Sequence, residues 1–294
     1  LKPLDPASAG YYLEFVQGDI LDRRLLDELG NEFQIKRIFH LAAILSTTAE
    51  SDPLRAHRVN VEGTANLLNL ALEQSENHSH SVQFIFPSSI AVYGVQAKQA
   101  QSPVGEDEHL MPTTLYGAGK LYCEFLGSHF AKQGSGLLNF CAIRFPGLIS
   151  AETIPSGGTT DYGPEMLHYA AEGRPYQCFV RSDTVLPFLA MPDAVRALQE
   201  IARATTLPQA VYNVASFSPS AEELHQNVMA SFPSAEVTFE PDPDRQAIVD
   251  SWPAEVDDSA ARRDWGWAPE YDLQRAFVDY LVPAATERYV KESN

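Results

Sequence analysis

The chain is poor in positive charge. Its 294 residues include 21 Lys and Arg against 39 Asp and Glu, which gives a formal net charge of −18 at pH 7. A nucleic-acid interface needs a basic face to neutralise phosphates, and an anionic membrane surface attracts basic segments for the same reason. The composition therefore predicts neither a nucleic-acid nor a membrane partner, and we interpret the acidic excess as a solubility feature.

Cysteines and long apolar runs are also scarce. Cys123, Cys141 and Cys178 are odd in number and far apart, so they form neither a disulfide framework nor a zinc-ligand pattern. No apolar run reaches the length of a membrane span, and no signal-peptide pattern opens the chain. We expect a reducing compartment, the cytoplasm, and no bound metal.

A third absence concerns glycine. No G-x-x-G-x-x-G or G-x-G-x-x-G turn, the kind that lets a backbone approach a pyrophosphate, occurs before residue 30. The chain also starts at Leu1, not Met, in a loop-like run. We therefore expect the first βαβ unit, about 30 residues, to be missing. Either the sequence belongs to a longer protein, or the chain does not bind a dinucleotide in the usual way.

The first half of the chain alternates apolar runs with helical periodicity. Strands are predicted at residues 12–18, 37–43 (buried on both faces), 83–89 and 139–147, and helices at 20–29, 53–74 and 116–132. Strands that alternate with helices of this length indicate βαβ units, and right-handed crossovers place the helices on both faces of a parallel sheet. The predicted fold class is α/β, with a Rossmann-like, doubly wound parallel sheet.

The alternation breaks after Ser150. Residues 151–160 are rich in Gly, Ser, Thr and Pro, and shorter helices and strands follow. We predict a Rossmann-like, NAD-binding domain at residues 1–150. Residues 151–294 are expected to form mainly a smaller substrate-binding lobe, with some segments returning to the main domain.

Tyr116 and Lys120 are the first candidates for chemistry. In a helix, residues four apart share one face, with about 5–6 Å between their Cβ atoms. A free phenol with a pKa near ~10 is a poor base, and a neighbouring ammonium favours the phenolate. The spacing alone is a weak signal, because it arises by chance. The upstream strand strengthens it, since that strand ends in Ser88 and Ser89 at the edge where open α/β sheets hold their sites.

Several short motifs together resemble one known superfamily, the extended short-chain dehydrogenases/reductases, or NAD-dependent epimerase/dehydratase family. They are Asp19-Ile20, His40–Ala43 (HLAA), Asn60, Ser88-Ser89, Tyr116-x-x-x-Lys120 and Arg144–Gly147 (RFPG), and the resemblance covers nearly the whole chain. A narrower resemblance, to the short-chain type of L-threonine 3-dehydrogenases, rests on Leu41–Ser46, Pro87–Gly94, Arg144–Ser150, Gly157–Tyr162, Leu186–Asp193, Arg245–Asp258 and Asp264–Trp267. Sugar-nucleotide epimerases resemble the first half only.

The resemblance implies a reaction and its catalytic residues. The reaction is oxidation of the 3-hydroxyl of L-threonine to 2-amino-3-oxobutanoate by NAD, a step of threonine catabolism. Tyr116 is implied as the general base, and Lys120 as the group that lowers the pKa of Tyr116 and binds the nicotinamide ribose. Ser89 or Ser88 is implied to hold the substrate hydroxyl, and Ser89 is favoured. NAD rather than NADP, and a homodimer through the two long helices, are implied by the resemblance alone.

The resemblance also assigns binding residues. For the cofactor these are Asp19, Ile20, Leu41, Ala42, Ala43, Asn60, Ser88, Tyr116, Lys120, Phe145, Pro146 and Leu148. For the amino-acid substrate they are Ser46, Ser89, Tyr116, Thr159, Thr160 and Trp252. Thr160 is favoured over Thr159, because a helix that begins there would attract the substrate carboxylate.

Each assignment has a structural alternative. Asp19 suits a helix N-cap, and the two serines suit a strand-end cap. The Thr-Thr-Asp run suits helix capping, and Trp252 suits the core.

Two other functions also stay open. A sugar-nucleotide epimerase or dehydratase needs cations for a diphosphate, and residues 151–180 offer only Arg174. A non-catalytic, truncated chain would explain the missing glycine-rich turn.

Overall fold

The structure is a computed structural model that describes residues 14–133, 136–204 and 206–292. The helices are α1 (Arg23–Glu32), α2 (Ser46–Ser51), α3 (Pro53–His57), α4 (Gly63–His78), α5 (Val95–Lys98), α6 (Leu115–Gln133), α7 (Tyr162–Ala171), α8 (Met191–Arg203), α9 (Ala221–Ser231), α10 (Pro243–Val249), α11 (Ser259–Trp265), α12 (Leu273–Arg275) and α13 (Val282–Glu292). Two π-helical turns, Arg58–Glu62 and Ala276–Leu281, join α3 to α4 and α12 to α13, and a 3₁₀ turn covers Ile90–Val92.

Eight strands form three parallel sheets within these residues. They are β1 (Arg37–Phe39), β2 (Val82–Ser89), β3 (Leu138–Phe145), β4 (Gly147–Ile149), β5 (Tyr176–Cys178), β6 (Phe188–Ala190), β7 (Val211–Asn213) and β8 (Val237–Phe239). The main sheet has the order β1-β2-β3-β7, so a strand from the second half of the chain lies at its edge. The other two sheets pair β4 with β6 and β5 with β8.

The central strands are buried on both faces because alternate side chains enter different cores. Phe84, Phe86 and Phe140 pack on one face of the sheet with residues of α4 and α6. On the other face, Ile85 and Cys141 pack with residues of α8 and α11. Helices on both sides of a parallel sheet confirm the predicted doubly wound α/β fold.

Strand β1 differs from its prediction. It spans Arg37–Phe39, not residues 37–43, and both Arg37 and Phe39 are exposed. The predicted strand at 12–18 is also wrong where it is described, because residues 14–18 have no strand conformation, while residues 12 and 13 lie outside the described part. A strand becomes buried only when neighbours cover it, and among the described strands β1 pairs with β2 alone.

All three cysteines are free and buried. Burial raises the pKa of Cys141 to about 12 and that of Cys178 to about 11, and it also raises the pKa of Cys123. A buried thiol with a raised pKa carries little thiolate, the reactive form. Within the described residues, no helix is long and apolar enough to cross a membrane. No cluster of three or more potential metal ligands occurs there either.

Candidate active site

Tyr116 lies in the first turn of α6, which two side chains cap. The Thr114 hydroxyl accepts a hydrogen bond from the Gly117 amide at 3.0 Å. The Glu50 carboxylate, from α2, accepts one from the Tyr116 amide at 3.1 Å. Because the first amides of a helix have no partner within it, these two acceptors determine where α6 begins and hold Tyr116 in place.

Lys120 lies one turn further along α6 and is buried. Its ammonium donates a hydrogen bond to the Pro87 carbonyl at 2.6 Å, at the end of β2. The same nitrogen lies 4.6 Å from the centre of the Phe86 ring and 5.6 Å from that of the Tyr116 ring. The helix and the strand end therefore bring the phenol and the ammonium to one place.

The pKa values differ from the expectation for this pair. Burial raises the pKa of Tyr116 to about 12, so the predicted lowering by Lys120 is wrong for the protein alone. Burial lowers the pKa of Lys120 to about 8, and the neighbouring Cys123 and Glu124 oppose this shift. Desolvation disfavours the charged form of both groups and is the largest cause of each shift.

The buried ammonium leads to a stability prediction. The pKa of Lys120 falls from its ordinary value of 10.5 to about 8 in the folded chain, so the folded state loses this proton before the unfolded state does. Wild-type stability should therefore rise, relative to Lys120→Met, as pH increases from about 8 to about 10.5, by roughly 3 kcal/mol in total. Urea unfolding of both proteins across this range measures the gap. A gap that stays constant would contradict the prediction.

Ser88 and Ser89 point to different partners. Ser88 is buried, and its hydroxyl donates to the carboxylate of Glu124 on α6. The Ser89 hydroxyl is partly exposed and accepts a hydrogen bond from the Ala91 amide at 3.1 Å. The hydroxyl proton of Ser88 is therefore already engaged, whereas Ser89 retains its proton for another acceptor.

Both serines, Tyr116 and Lys120 line one cavity of about 380 Å³ at the carboxyl ends of β1, β2 and β3. Further lining residues from the predicted set are Leu41, Ala43, Ser46, Phe145, Pro146, Leu148, Thr159, Thr160 and Trp252. Among the described lining residues, Lys120 and Asp161 carry charge. Asp19, Ile20, Ala42 and Asn60 do not line this cavity.

The cavity fits the nicotinamide half of a dinucleotide. Leu41 and Leu45 at its rim are exposed, 65% and 46%, although both are large apolar side chains. A flat ring can cover such a rim, and the ammonium of Lys120 beside it can donate to ribose hydroxyls. The residues that would hold this half are Leu41, Lys120, Pro146 and Leu148.

Asn60 binds the backbone of the segment that follows β1. Its side-chain amide accepts from the Ile44 amide at 2.7 Å and donates to the Ile44 carbonyl at 2.9 Å. Asn60 lies in the π-helical turn, and its carbonyl accepts from the Thr64 hydroxyl at 2.6 Å. Asn60 thus fixes the segment that follows β1.

Asp19 and Ile20 lie next to α1 and α4. The Asp19 carboxylate accepts from the Leu21 amide at 2.9 Å, while the N-cap of α1 is Asp22, so the N-cap alternative for Asp19 is wrong. The Ile20 side chain fills the space above Gly63, where an added Cβ would lie 2.4 Å from it. Ile20 therefore connects this loop to α4, whereas the Asp19 carboxylate bonds within the loop.

The Thr159–Asp161 run contacts the segment after β1. Thr159 is buried, and its hydroxyl lies 3.0 Å from that of Ser46. One oxygen of Asp161 accepts from the amides of Ser156, Gly157 and Gly158 at 3.0, 2.9 and 2.6 Å. Helix α7 begins at Tyr162, so the expectation of a helix start at Thr160 is wrong. Asp161 is at the N-cap position, but its carboxylate shapes the preceding loop instead.

Trp252 is buried and lines the cavity. Its indole N–H is buried and has no partner in the described part of the chain. A buried donor without a partner is costly, so this N–H is suited to an acceptor that arrives with a ligand.

Sequence reasoning missed a buried ion pair beside these residues. Glu124 on α6 and Arg144 on β3 join through two hydrogen bonds of 2.7 and 2.9 Å. The sequence did contain a signal for Glu124: it follows Lys120 by four residues and therefore lies on the same helix face as Tyr116 and Lys120. The role of Asp161 and the bond from Arg245 to the Gly158 carbonyl, 2.9 Å, were also missed, and no spacing in the sequence indicates them.

A second cavity lies on the outer face of α6. It measures about 680 Å³, and its lining from α3, α4 and α6 is mostly apolar. Tyr122 and Leu115 line it, and Phe125 lies nearby on α6; these three side chains are 52%, 56% and 63% exposed. We call Leu115, Tyr122 and Phe125 the α6 outer patch.

A doubly wound parallel sheet with a Tyr-Lys pair at its carboxyl edge is typical of Rossmann-like oxidoreductases that use a dinucleotide. The family comparison narrows this class, since a model of the NAD dependent epimerase/dehydratase family matches residues 2–215. The chain belongs to this family, and its cofactor is NAD.

Individual relatives of known name are similar to this chain over most of its length. L-threonine 3-dehydrogenase, mitochondrial, of Bos taurus is 36% identical over 283 residues, which cover 95% of this chain and 73% of the relative. A solved structure of a monomeric L-threonine 3-dehydrogenase from a metagenome is 36% identical, with a TM-score of 0.85, and covers 96% of this chain and 88% of its own. UDP-glucose 4-epimerase of Thermotoga maritima, 19% identical with a TM-score of 0.79 over 95% of this chain and 84% of its own, shares the fold.

Proposed function

We propose that the chain is an L-threonine 3-dehydrogenase, which oxidises the 3-hydroxyl of L-threonine with NAD. The main support is the lining of the 380 Å³ cavity, where hydroxyls and a Tyr-Lys pair surround a space with one lysine and no arginine among its described residues. A sugar nucleotide brings a diphosphate, which needs several cations. A small zwitterion such as an amino acid carries no diphosphate and does not need several cations in its site. The threonine dehydrogenase names of the relatives agree with this lining.

In the proposed mechanism, Tyr116 removes the proton of the 3-hydroxyl as the C3 hydrogen leaves as hydride. Bound NAD would supply the hydride acceptor, and the ammonium of Lys120 favours the phenolate of Tyr116. With a pKa of about 8, Lys120 is mainly charged at neutral pH, and its ammonium donates to the Pro87 carbonyl beside the phenol. Ser89 donates a hydrogen bond to the substrate oxygen. Ser88 does not take this role, because its hydroxyl already donates a hydrogen bond to the Glu124 carboxylate.

We propose that Ser46, Thr159, Thr160 and Trp252 bind the amino and carboxylate groups of the substrate. The Ser46 and Thr159 hydroxyls already lie 3.0 Å apart, so a carboxylate can accept from both. Asp161 is engaged by three amides and is a poor candidate for the ammonium. Residues 151–294 would thus supply mainly the substrate lobe, and residues 1–150 the cofactor domain.

Trp252→Phe tests the role of the unpartnered indole N–H. Phenylalanine keeps an apolar ring in the cavity and removes the donor, so KM for L-threonine should rise about tenfold or more, the equivalent of one hydrogen bond to a charged group. Steady-state kinetics with varied L-threonine measures the change. Trp265→Phe is the control, since its buried indole N–H also has no partner but does not line the cavity. An unchanged KM in Trp252→Phe would exclude the contact.

The experiment that tests the function is NADH formation from NAD by this chain. L-threonine, L-serine and a UDP-sugar are compared, with and without residues restored upstream of Leu1. NADH formed with L-threonine would support the proposal. No NADH with L-threonine in either form, together with turnover of the UDP-sugar, would replace it with the epimerase function. Turnover only in the longer form would assign the activity to the longer protein.

We propose that two copies of the chain associate through the α6 outer patch. An exposed apolar surface beside a 680 Å³ groove supports this, because such surfaces on soluble chains mark interaction sites. One structural relative is described as monomeric, so the assembly is open to test.

Phe125→Glu should convert the dimer to a monomer at micromolar concentration. The charge would have to be desolvated in the interface, which would cost several kcal/mol. Light scattering coupled to size exclusion measures the mass. Val278→Glu is a matched control, because both side chains are 63% exposed and Val278 lies outside the patch. A wild-type chain that is itself monomeric would refute the dimer.

We propose a reducing compartment, the cytoplasm, for the protein. The support is chemical, since three buried free cysteines need no oxidising environment. Relatives from mammals carry the name mitochondrial, so fractionation of the source cells should compare the two compartments.

A further inference from the structure

The ion pair between Glu124 and Arg144 is almost completely buried. The two side chains are 3% and 2% exposed, and the Arg144 guanidinium binds the carboxylate through both Nε and Nη2. Burying two charges carries a large desolvation penalty, and apolar residues often serve stability equally well. Stability alone is therefore a weak reason for this pair.

The pair connects α6 to three adjacent strands of the main sheet. Arg144 belongs to β3. Ser88, whose hydroxyl donates to the same Glu124 carboxylate, belongs to β2. Arg144 also donates to the Tyr93 hydroxyl at 3.1 Å, and Tyr93 donates to Asn213 of β7 at 2.8 Å. No other ionic contact in the described chain joins this helix to the sheet.

These contacts hold α6 at two successive turns. Lys120 donates to the Pro87 carbonyl, and Glu124 accepts from the hydroxyl of Ser88, the next residue along β2. Tyr116 lies one turn before Lys120 on the same helix face, and Ser89 follows Ser88. Rotation or sliding of α6 against β2 would therefore change the distance between Tyr116 and Ser89. The Glu124 charge also opposes the lowering of the Lys120 pKa.

We propose that Glu124 and Arg144 are positioning residues, which fix α6 against the end of β2 and so align Tyr116 and Lys120 with Ser89. This rests on the proposed function, because alignment matters only if these three groups act on one substrate. The pair itself lies outside the 380 Å³ cavity. Its effect on the reaction is carried by helix position.

Three variants separate positioning from simple stability. Glu124→Met removes the carboxylate, while Glu124→Gln is isosteric and keeps an acceptor for Ser88. Asp193→Asn is the control, because Asp193 is 1% exposed and pairs with Arg196 at 2.7 Å, away from α6. All three are assayed well below their unfolding temperatures.

We expect kcat for L-threonine to fall about 10²-fold in Glu124→Met, because an ångström of misplacement has an effect of that order. Glu124→Gln should recover most of this loss. Asp193→Asn should lose thermal stability and keep kcat. Equal kcat in Glu124→Met and wild type, or an equal loss in Asp193→Asn, would overturn the proposal.

Hydrogen–deuterium exchange of the ligand-free chains tests positioning without any substrate. In Glu124→Met, the amides of residues 116–120 and 88–89 should exchange faster together, and in Glu124→Gln and Asp193→Asn they should match wild type. This pattern in a chain that does not oxidise L-threonine would refute the proposed function and keep the positioning role. If Glu124→Met does not fold, Ser88→Ala replaces it and should give the same pattern. Exchange that stays unchanged in a folded Glu124→Met or Ser88→Ala would refute the positioning role.

Discussion

Tyr116→Phe should lower kcat for L-threonine by about 10³-fold, within the range that a positioned general base contributes. Phenylalanine keeps the ring that lies 5.6 Å from the Lys120 ammonium and still lines the cavity, so the change removes little besides the phenol oxygen. Binding of NADH, followed by its fluorescence, should stay near that of wild type. The loss would then lie in the chemical step.

The pH dependence sharpens this test. The phenolate is the active form, and burial raises the pKa of Tyr116 to about 12 in the protein alone, so wild-type kcat/KM should rise with pH up to about 8, where Lys120 begins to lose its charge. Tyr116→Phe should lose this rise. Tyr169→Phe, on α7 and outside the cavity, is the control and should keep both rate and profile. A Tyr116→Phe enzyme that keeps a tenth of its activity would remove Tyr116 from the role of base.

Gly117→Ala should both destabilise the chain and inactivate it. A Cβ at Gly117 would lie 2.0 Å from the Ala91 carbonyl oxygen, and a backbone atom cannot move aside as a flexible side chain can. Relief requires α6 to shift away from the 3₁₀ turn, which should lower the free energy of unfolding by roughly 1–3 kcal/mol. Because Tyr116 is the preceding residue, kcat should fall as well.

Gly119→Ala is the matched control two residues further along the same helix. A Cβ there would meet its nearest atom, Cγ2 of Val61, at an ordinary 3.6 Å. Glycine inside a helix is less favourable than alanine, so this variant should raise the free energy of unfolding by about 0.5–1 kcal/mol. Urea unfolding and steady-state kinetics measure both variants. If the two changed stability in the same direction, the close approach of α6 to Ala91 would not be the cause.

Much of the fold could be predicted because the signals were local. The strands β2 and β3 are nearly continuous apolar runs, and α4 and α6 are long segments without proline. The approach of Tyr116 to Lys120 follows from helix geometry, and the location of Ser88 and Ser89 follows from the parallel sheet. These inferences need no knowledge of distant contacts.

The errors have a common physical origin in partners that are far apart in sequence. The exposure of β1 depends on which strands lie beside it, and its own residues do not encode that. The carboxylate of Asp161 is at an N-cap position but binds the loop before it. The raised pKa of Tyr116 comes from burial, which depends on residues of several elements and not on the spacing of the motif.

The three buried thiols have a practical consequence. Burial raises the pKa of Cys123, Cys141 and Cys178, and alkylating reagents react with the exposed thiolate. Cys141 lies between the sheet and α8, Cys123 lies on α6 and faces the other side of the sheet, and Cys178 packs with residues of α7 and α9, so each belongs to a different core. Alkylation of each thiol therefore reports the opening of the core that surrounds it. The order in which iodoacetamide modifies the three sites would show which layer of the molecule separates first, without any added label.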